Sequence, residues 1–147
     1  MRAARRVAPR RVFVDTSAYF ALVDTREAEH GAARSILGRL SDARYAQYTT
    51  NILLIECHAL MLARLGRSLA RQFVRDIAAS RTRVIRVRAH DEERAKDILF
   101  RYDDKDFSFA DAISFVVMAR LGIQYAFTFD HHFEQYGLTV LAPTTEL

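Results

Sequence analysis

Two short runs of β-branched and aromatic residues, Arg11-Val12-Phe13-Val14 and Tyr125-Ala126-Phe127-Thr128-Phe129, lie near opposite ends of the chain, and each is followed at once by an aspartate, Asp15 or Asp130. Runs of this composition read as buried strands. Between them, apolar residues recur at helical spacing in four segments: Ala33, Ile36, Leu37 and Leu40; Ile52 to Leu65; Leu69, Phe73, Val74 and Ile77; and Ala95, Ile98, Leu99 and Tyr102. A fifth helix, Phe109 to Leu121, is apolar almost all round, which predicts a central place in the fold. Shorter strands are expected at Tyr45 to Thr49, Arg83 to Val87 and Leu138 to Leu141. Gly66 and Gly122 stand where helices should break. Strands and helices alternating in this way predict an α/β fold, a parallel sheet with helices on both faces.

The pattern holds no repeat and no linker, and 147 residues suit one domain, expected over residues 11–147. Residues 1–10 are expected to form a mobile basic arm. Half of the chain is apolar and 27% is charged, the balance of a globular protein rather than a disordered one. The single cysteine, Cys57, excludes an internal disulfide and a cysteine-based zinc framework, and points to the cytoplasm. There is no apolar run of signal-peptide type near the N-terminus and none of membrane-spanning length, so no membrane partner is expected.

The formal charge is +4, and of the 22 basic residues only Lys96 and Lys105 are lysines. Arginine presents a planar fork that matches phosphate, which favours a nucleic-acid partner. On the third helical segment Arg67, Arg71 and Arg75 recur every four residues, a basic stripe able to follow an RNA backbone or simply a solvated face.

The acids carry the more specific chemistry. Asp15 and Asp130 fall beyond the carboxyl ends of two strands, where open parallel sheets bind ligands, although each could equally be a helix N-cap. Glu56 has Ile52, Leu53, Ala59 and Leu60 as its helical neighbours, so it is expected to rise from an apolar face. A carboxylate buried there needs an arginine or a metal ion. Asp111 follows Ser108 by three residues in a capping-box pattern, yet it begins a helix with little polar surface and points toward the same sheet edge. Four carboxylates meeting in one pocket would repel unless cations neutralised them. Hard divalent ions with oxygen ligands, Mg2+ first and Mn2+ next, suit such a set, and they serve phosphodiester hydrolysis.

Four blocks carry these acids: Val12-Phe13-Val14-Asp15-Thr16-Ser17, Asn51 to Glu56, Lys105 to Ala112, and Ala126 to Phe133. Together and in this order they resemble the motifs of PIN-domain proteins, and among these the VapC toxins of toxin–antitoxin pairs. The resemblance spans Arg11 to Leu141. It implies a three-layer α/β/α fold with a central parallel sheet of four to five strands. It also implies Mg2+- or Mn2+-dependent cleavage of RNA, homodimerisation and a small antitoxin partner. On the matching positions Asp15, Glu56, Asp111 and Asp130 would be the catalytic metal-site acids, while Thr16, Ser17 and Thr128 would orient the first and last of them. One departure is Ala110, where relatives often carry a hydroxyl beside the third acid, which removes one expected supporting hydrogen bond.

Other readings were weighed on the same residues. A phosphotransferase using Asp15 as nucleophile would need a second acid two residues on, where Ser17 stands. Adjacent His131 and His132 lack the spacing of zinc ligand pairs, and Cys57-His58 rotates away from the Glu56 face. Asp104 and Asp106 read as solvated loop charges. Phe20, Phe73, Phe115 and Phe133 read as core rather than base-stacking platforms. Two further alternatives keep the fold: an RNA-processing nuclease without an antitoxin, and a non-catalytic RNA- or protein-binding module.

Overall fold

A computed structural model describes residues 9–147, so most of the basic arm expected over residues 1–10 lies outside the described residues. The strands are β1 (Arg11–Val14), β2 (Ala46–Thr50), β3 (Arg83–Ile85), β4 (Tyr125–Phe127) and β5 (Thr139–Val140). The helices are α1 (Thr16–Val23), α2 (His30–Asp42), α3 (Asn51–Leu65), α4 (Arg67–Ala79), α5 (Ala89–Arg101), α6 (Phe109–Leu121) and α7 (His131–Tyr136). The five strands form one wholly parallel sheet in the order β3-β2-β1-β4-β5.

Central β1 shows why the fold has three layers. Val12, Phe13 and Val14 are all fully buried, and their side chains alternate between two cores. Val12 and Val14 join the core that packs α1 to α4 on one face, with Ala18, Ile36, Leu40, Met61 and Phe73. Phe13 joins the other, where α5, α6 and α7 supply Ala95, Phe115, Val117 and Phe133. Every residue of α6 from Asp111 to Met118 is buried, as its all-round apolarity predicts. The four phenylalanines read as core are buried as well.

The strand order places a topological switch between β1 and β4. From β1 the chain steps outward to β2 and β3, then returns to the other side of β1 for β4 and β5. Loops leaving the carboxyl ends of β1 and β4 diverge there and open a crevice.

Three differences from the sequence reading have physical causes. Helix α1 is absent from the helices that spacing predicts and is hinted at only by the capping option for Asp15: Ala18 to Val23 is apolar at every position, so no period betrays a helix. Strand β4 ends at Phe127, two residues early, because the Phe129 N–H bonds the Ser17 hydroxyl and the Asp130 N–H bonds the Thr128 hydroxyl instead of a neighbouring strand. Glu56 does not rise from a buried face. It is exposed beside Ile55, itself 66% exposed, because α3 buries only Leu53, Cys57 and Met61. The breakers fall where expected, Gly66 with φ of 91° and Gly122 in the left-handed region at 67°, each ending a helix in a conformation that suits glycine.

Candidate metal centre

The β1–β4 pairing of Val14 with Phe127 brings Asp15 and Thr128 together just past the ladder, and the Asp15 N–H still donates to the Phe127 carbonyl. Asp15 is the N-cap of α1 and is 5% exposed. Its Oδ2 accepts from the Thr128 hydroxyl at 2.9 Å, the Ser17 hydroxyl at 3.0 Å and the Ser17 N–H at 3.4 Å. All three donors are neutral. Burial dominates, the nearby Asp111 charge adds to it, and the carboxyl is pushed up to about 6 despite those bonds.

Thr16, adjacent in sequence, turns to a different acid. Its hydroxyl lies 3.2 Å from Glu56 Oε1, which ties the exposed glutamate of α3 to the start of α1. Asp111 is held twice through Oδ2, by the Ser108 N–H at 3.0 Å and by His132 Nδ1 at 3.0 Å. The Ser108 hydroxyl in return accepts from the Asp111 N–H, completing the capping box. Asp130 caps α7, its Oδ1 accepting the His132 N–H at 2.9 Å and lying 3.3 Å from His132 Nδ1.

Among the described residues, the four acids share one habit. Each spends a single oxygen on the protein, Oδ2 of Asp15 and Asp111, Oε1 of Glu56, Oδ1 of Asp130, while the second oxygen makes no hydrogen bond or ion pair. A set of acids oriented by hydrogen-bond donors with no arginine or lysine among them, each with a free oxygen and one with a raised pKa, has the chemistry of a hard-cation site. The metal-ligating group whose donor atoms lie closest, all within 4.8 Å, is instead Asp130, His131 and His132. The carboxylates are therefore neighbours linked through Thr16, Ser17, Thr128 and His132 rather than one tight ring.

His132 is the residue the sequence reading passed over. As an adjacent pair His131 and His132 read only as zinc ligands; the signal for His132 is positional, a donor two residues after an N-cap aspartate, on the first turn of a helix at the sheet edge. His132 also supplies Asp111 with the support that Ala110 cannot. Cys57, fully buried, has its thiol pushed up to about 12 by burial, which removes it as a nucleophile. Arg67, Arg71 and Arg75 are exposed on α4 and form no ion pair among the described residues. Arg67 follows the far end of α3, which carries Glu56 nearer its start, so the stripe begins about 15 Å along the helix from that acid. Asp104 and Asp106 are exposed, and Asp104 pairs with Lys105 at 3.2 Å.

Against known families, residues 12–138 match the PIN domain. The chain belongs to the PIN-domain family. This PIN domain is 35% identical over 132 residues to a Mycobacterium tuberculosis protein named 23S rRNA-specific endonuclease VapC20, spanning 90% of this chain and 98% of that one. The crystal structure of Mycobacterium tuberculosis VapC20, described as a sarcin-ricin loop cleaving toxin, superposes with a TM-score of 0.82 and covers 90% of this chain and 99% of the other. VapBC2 from Rickettsia felis, solved bound to a DNA fragment from its promoter, shares the fold at 12% identity and a TM-score of 0.68, covering 89% of this chain and 97% of that chain.

Proposed function

We propose that residues 11–147 act as one metal-dependent endoribonuclease domain, the toxin of a toxin–antitoxin pair, with Mg2+ or Mn2+ held by Asp15, Glu56, Asp111 and Asp130. The observation that carries this reading is that four acids linked through Thr16, Thr128 and His132 each keep, among the described residues, one free oxygen, and one of them is buried with no ion pair. Bound there, a divalent ion supplies charge for the phosphodiester and lowers the pKa of an attacking water. The chain's own part is to aim those oxygens: Ser17 and Thr128 fix Asp15, Thr16 steadies Glu56, and His132 spans Asp111 and Asp130. Hydrolysis of this type leaves a 5′-phosphate and a 3′-hydroxyl. The identity to a relative named for 23S rRNA makes a ribosomal RNA loop the substrate to try first, with Arg67, Arg71 and Arg75 as outlying phosphate contacts.

The partner reading rests on a different edge. A cleft of about 920 Å³ lies away from the acids, where β2 and β3 begin. Its walls include Leu22, Leu37 and Ile77, and its rim carries Arg44, Arg81 and Arg83. An acidic amphipathic antitoxin segment fits such a cleft. Exposed Ile55, Leu62 and Leu69 on α3 and α4 offer a second copy an apolar surface, in keeping with a homodimer. No helix among the described residues is long and apolar enough to cross a membrane, and the cytoplasm, where ribosomal RNA resides, is the compartment this function requires.

Purified protein incubated with labelled ribosomal RNA and Mg2+ should cut it, and Asp15→Asn should lose at least about 100-fold in rate, the upper range for merely disturbing a metal's surroundings. Equal cutting by both proteins would refute the assignment.

A further inference from the structure

His132 belongs to none of the four acids, yet it is the side chain that touches two of them. Its Nδ1 lies 3.0 Å from Asp111 Oδ2 and 3.3 Å from Asp130 Oδ1. These acids come from different elements, Asp111 from the first turn of α6 and Asp130 from the cap of α7, and are 19 positions apart in the sequence. An ionised carboxylate can only accept hydrogen bonds, so the hydrogen on this ring must sit on Nδ1. The ring is held in place on two sides. Phe107 meets it edge-on, with centroids 5.6 Å apart and planes at 81°, and the His131 ring lies 4.4 Å away. Its side chain is 18% exposed, and its own backbone N–H is committed to Asp130 Oδ1.

We infer that His132 is a positioning residue of the metal centre: its Nδ1–H donates to Asp111 Oδ2 while the same nitrogen lies against Asp130 Oδ1, so that the remaining oxygen of each acid faces the ion. The inference rests on the metal-nuclease reading above and deepens it. The clamp does what the Ser17 and Thr128 hydroxyls do for Asp15, but across two helices. Without it, among the described residues Asp111 keeps only the Ser108 N–H, and Asp130 keeps only the His132 backbone N–H. Both carboxylates could then rotate about their terminal torsions, which have broad minima. His131, 72% exposed and 3.8 Å from Asp130 through its Nδ1, makes no comparable bond.

The geometry gives a test that depends on which nitrogen matters. In His132→Asn the amide nitrogen occupies the place of Nδ1, whereas in His132→Gln it occupies the place of Nε2. Mn2+ binding to the purified full chain, followed by titration calorimetry, should stay within about threefold of wild type for Asn and weaken by about 10- to 100-fold for Gln, the usual cost of losing an outer partner of a metal ligand. The loss in RNA cleavage should follow the same order and appear in kcat rather than KM. Thermal unfolding of both variants without metal reports whether each is folded. Equal weakening by Asn and Gln, or wild-type binding by both, overturns the clamp. Absence of Mn2+ binding in the wild-type protein itself would instead strike at the metal-nuclease reading, and Asp15→Asn serves as the reference for a damaged site.

Discussion

Two buried aspartates in this protein have opposite environments. Asp91, in the first turn of α5, is 1% exposed and meets Arg120 of α6 through two bonds, Nε to Oδ1 at 2.9 Å and Nη2 to Oδ2 at 2.8 Å, while the Arg88 N–H adds a third at 2.9 Å. Burial alone would raise its pKa, but Arg120 and the Arg88 N–H outweigh burial and hold the carboxyl below its ordinary value. Asp15 is nearly as buried, has neutral donors only among the described residues, and is pushed up to about 6. A structural acid carries its cation with it. An acid lacking one at a sheet edge is where a ligand's charge has been left room.

Removing the cation from Asp91 should have the largest effect on the fold. Arg120→Leu strands a buried carboxylate between α5 and α6, and half of a broken buried pair costs about 3 kcal/mol. Urea unfolding at pH 7 should show that loss, while RNA cleavage per folded molecule stays at the wild-type level. A loss confined to cleavage would mean that the clasp serves the site and not the packing of the two helices.

The same contrast sets two pH slopes of opposite sign. Asp91 has a lowered folded pKa, so its contribution to stability is present above about pH 4 and is lost as acid protonates it. Asp15 has a raised one. The folded, metal-free protein holds that proton more tightly than the unfolded chain, so its contribution is full below the ordinary value of 3.8 and is lost as pH rises through about 6. At pH 7.5 the ionised Asp15 therefore destabilises the metal-free fold, by about 3 kcal/mol. Asp15→Asn should unfold at higher urea than wild type at pH 7.5 in chelator, and the gap should close near pH 4. Adding Mn2+ should stabilise wild type and leave the variant where it was. A variant less stable than wild type at pH 7.5 would show that the cap outweighs the unpaired charge.

The contrast also separates what was legible in the sequence from what was not. Strand ends and turns announced Asp15 and Asp130, since a β-branched run followed by an acid has few readings, and the all-apolar α6 announced the layer behind Asp111. The sheet, its parallel sense and both glycine breakers follow from such local patterns. Exposure of Glu56 was not legible. Four apolar neighbours at helical spacing imply burial only when something covers them, and here Ala59 stays exposed while Ile52 and Leu60 are only partly covered. The Asp91–Arg120 clasp and the His132 bridge were not legible either. Each joins residues from two elements, and no period within one element records its partner in the next.

The smallest effect probes how far neutral hydroxyls can stand in for a cation. Thr128 donates to Asp15 Oδ2 and accepts the Asp130 N–H, so it couples the two strand-end acids through one oxygen. Thr128→Val keeps the shape and removes both bonds, at a cost of about 1 kcal/mol in the metal-free protein at pH 7.5. The loss should shrink toward pH 4, because a protonated Asp15 needs the hydroxyl less than an ionised one does. Asp15's pKa should move further up, since the Thr128 bond is the largest of the influences that lower it. Urea midpoints of wild type and variant at both pH values measure the difference. A loss equal at pH 4 and pH 7.5 would place the hydroxyl's value in the Asp130 N–H rather than in the acid it faces.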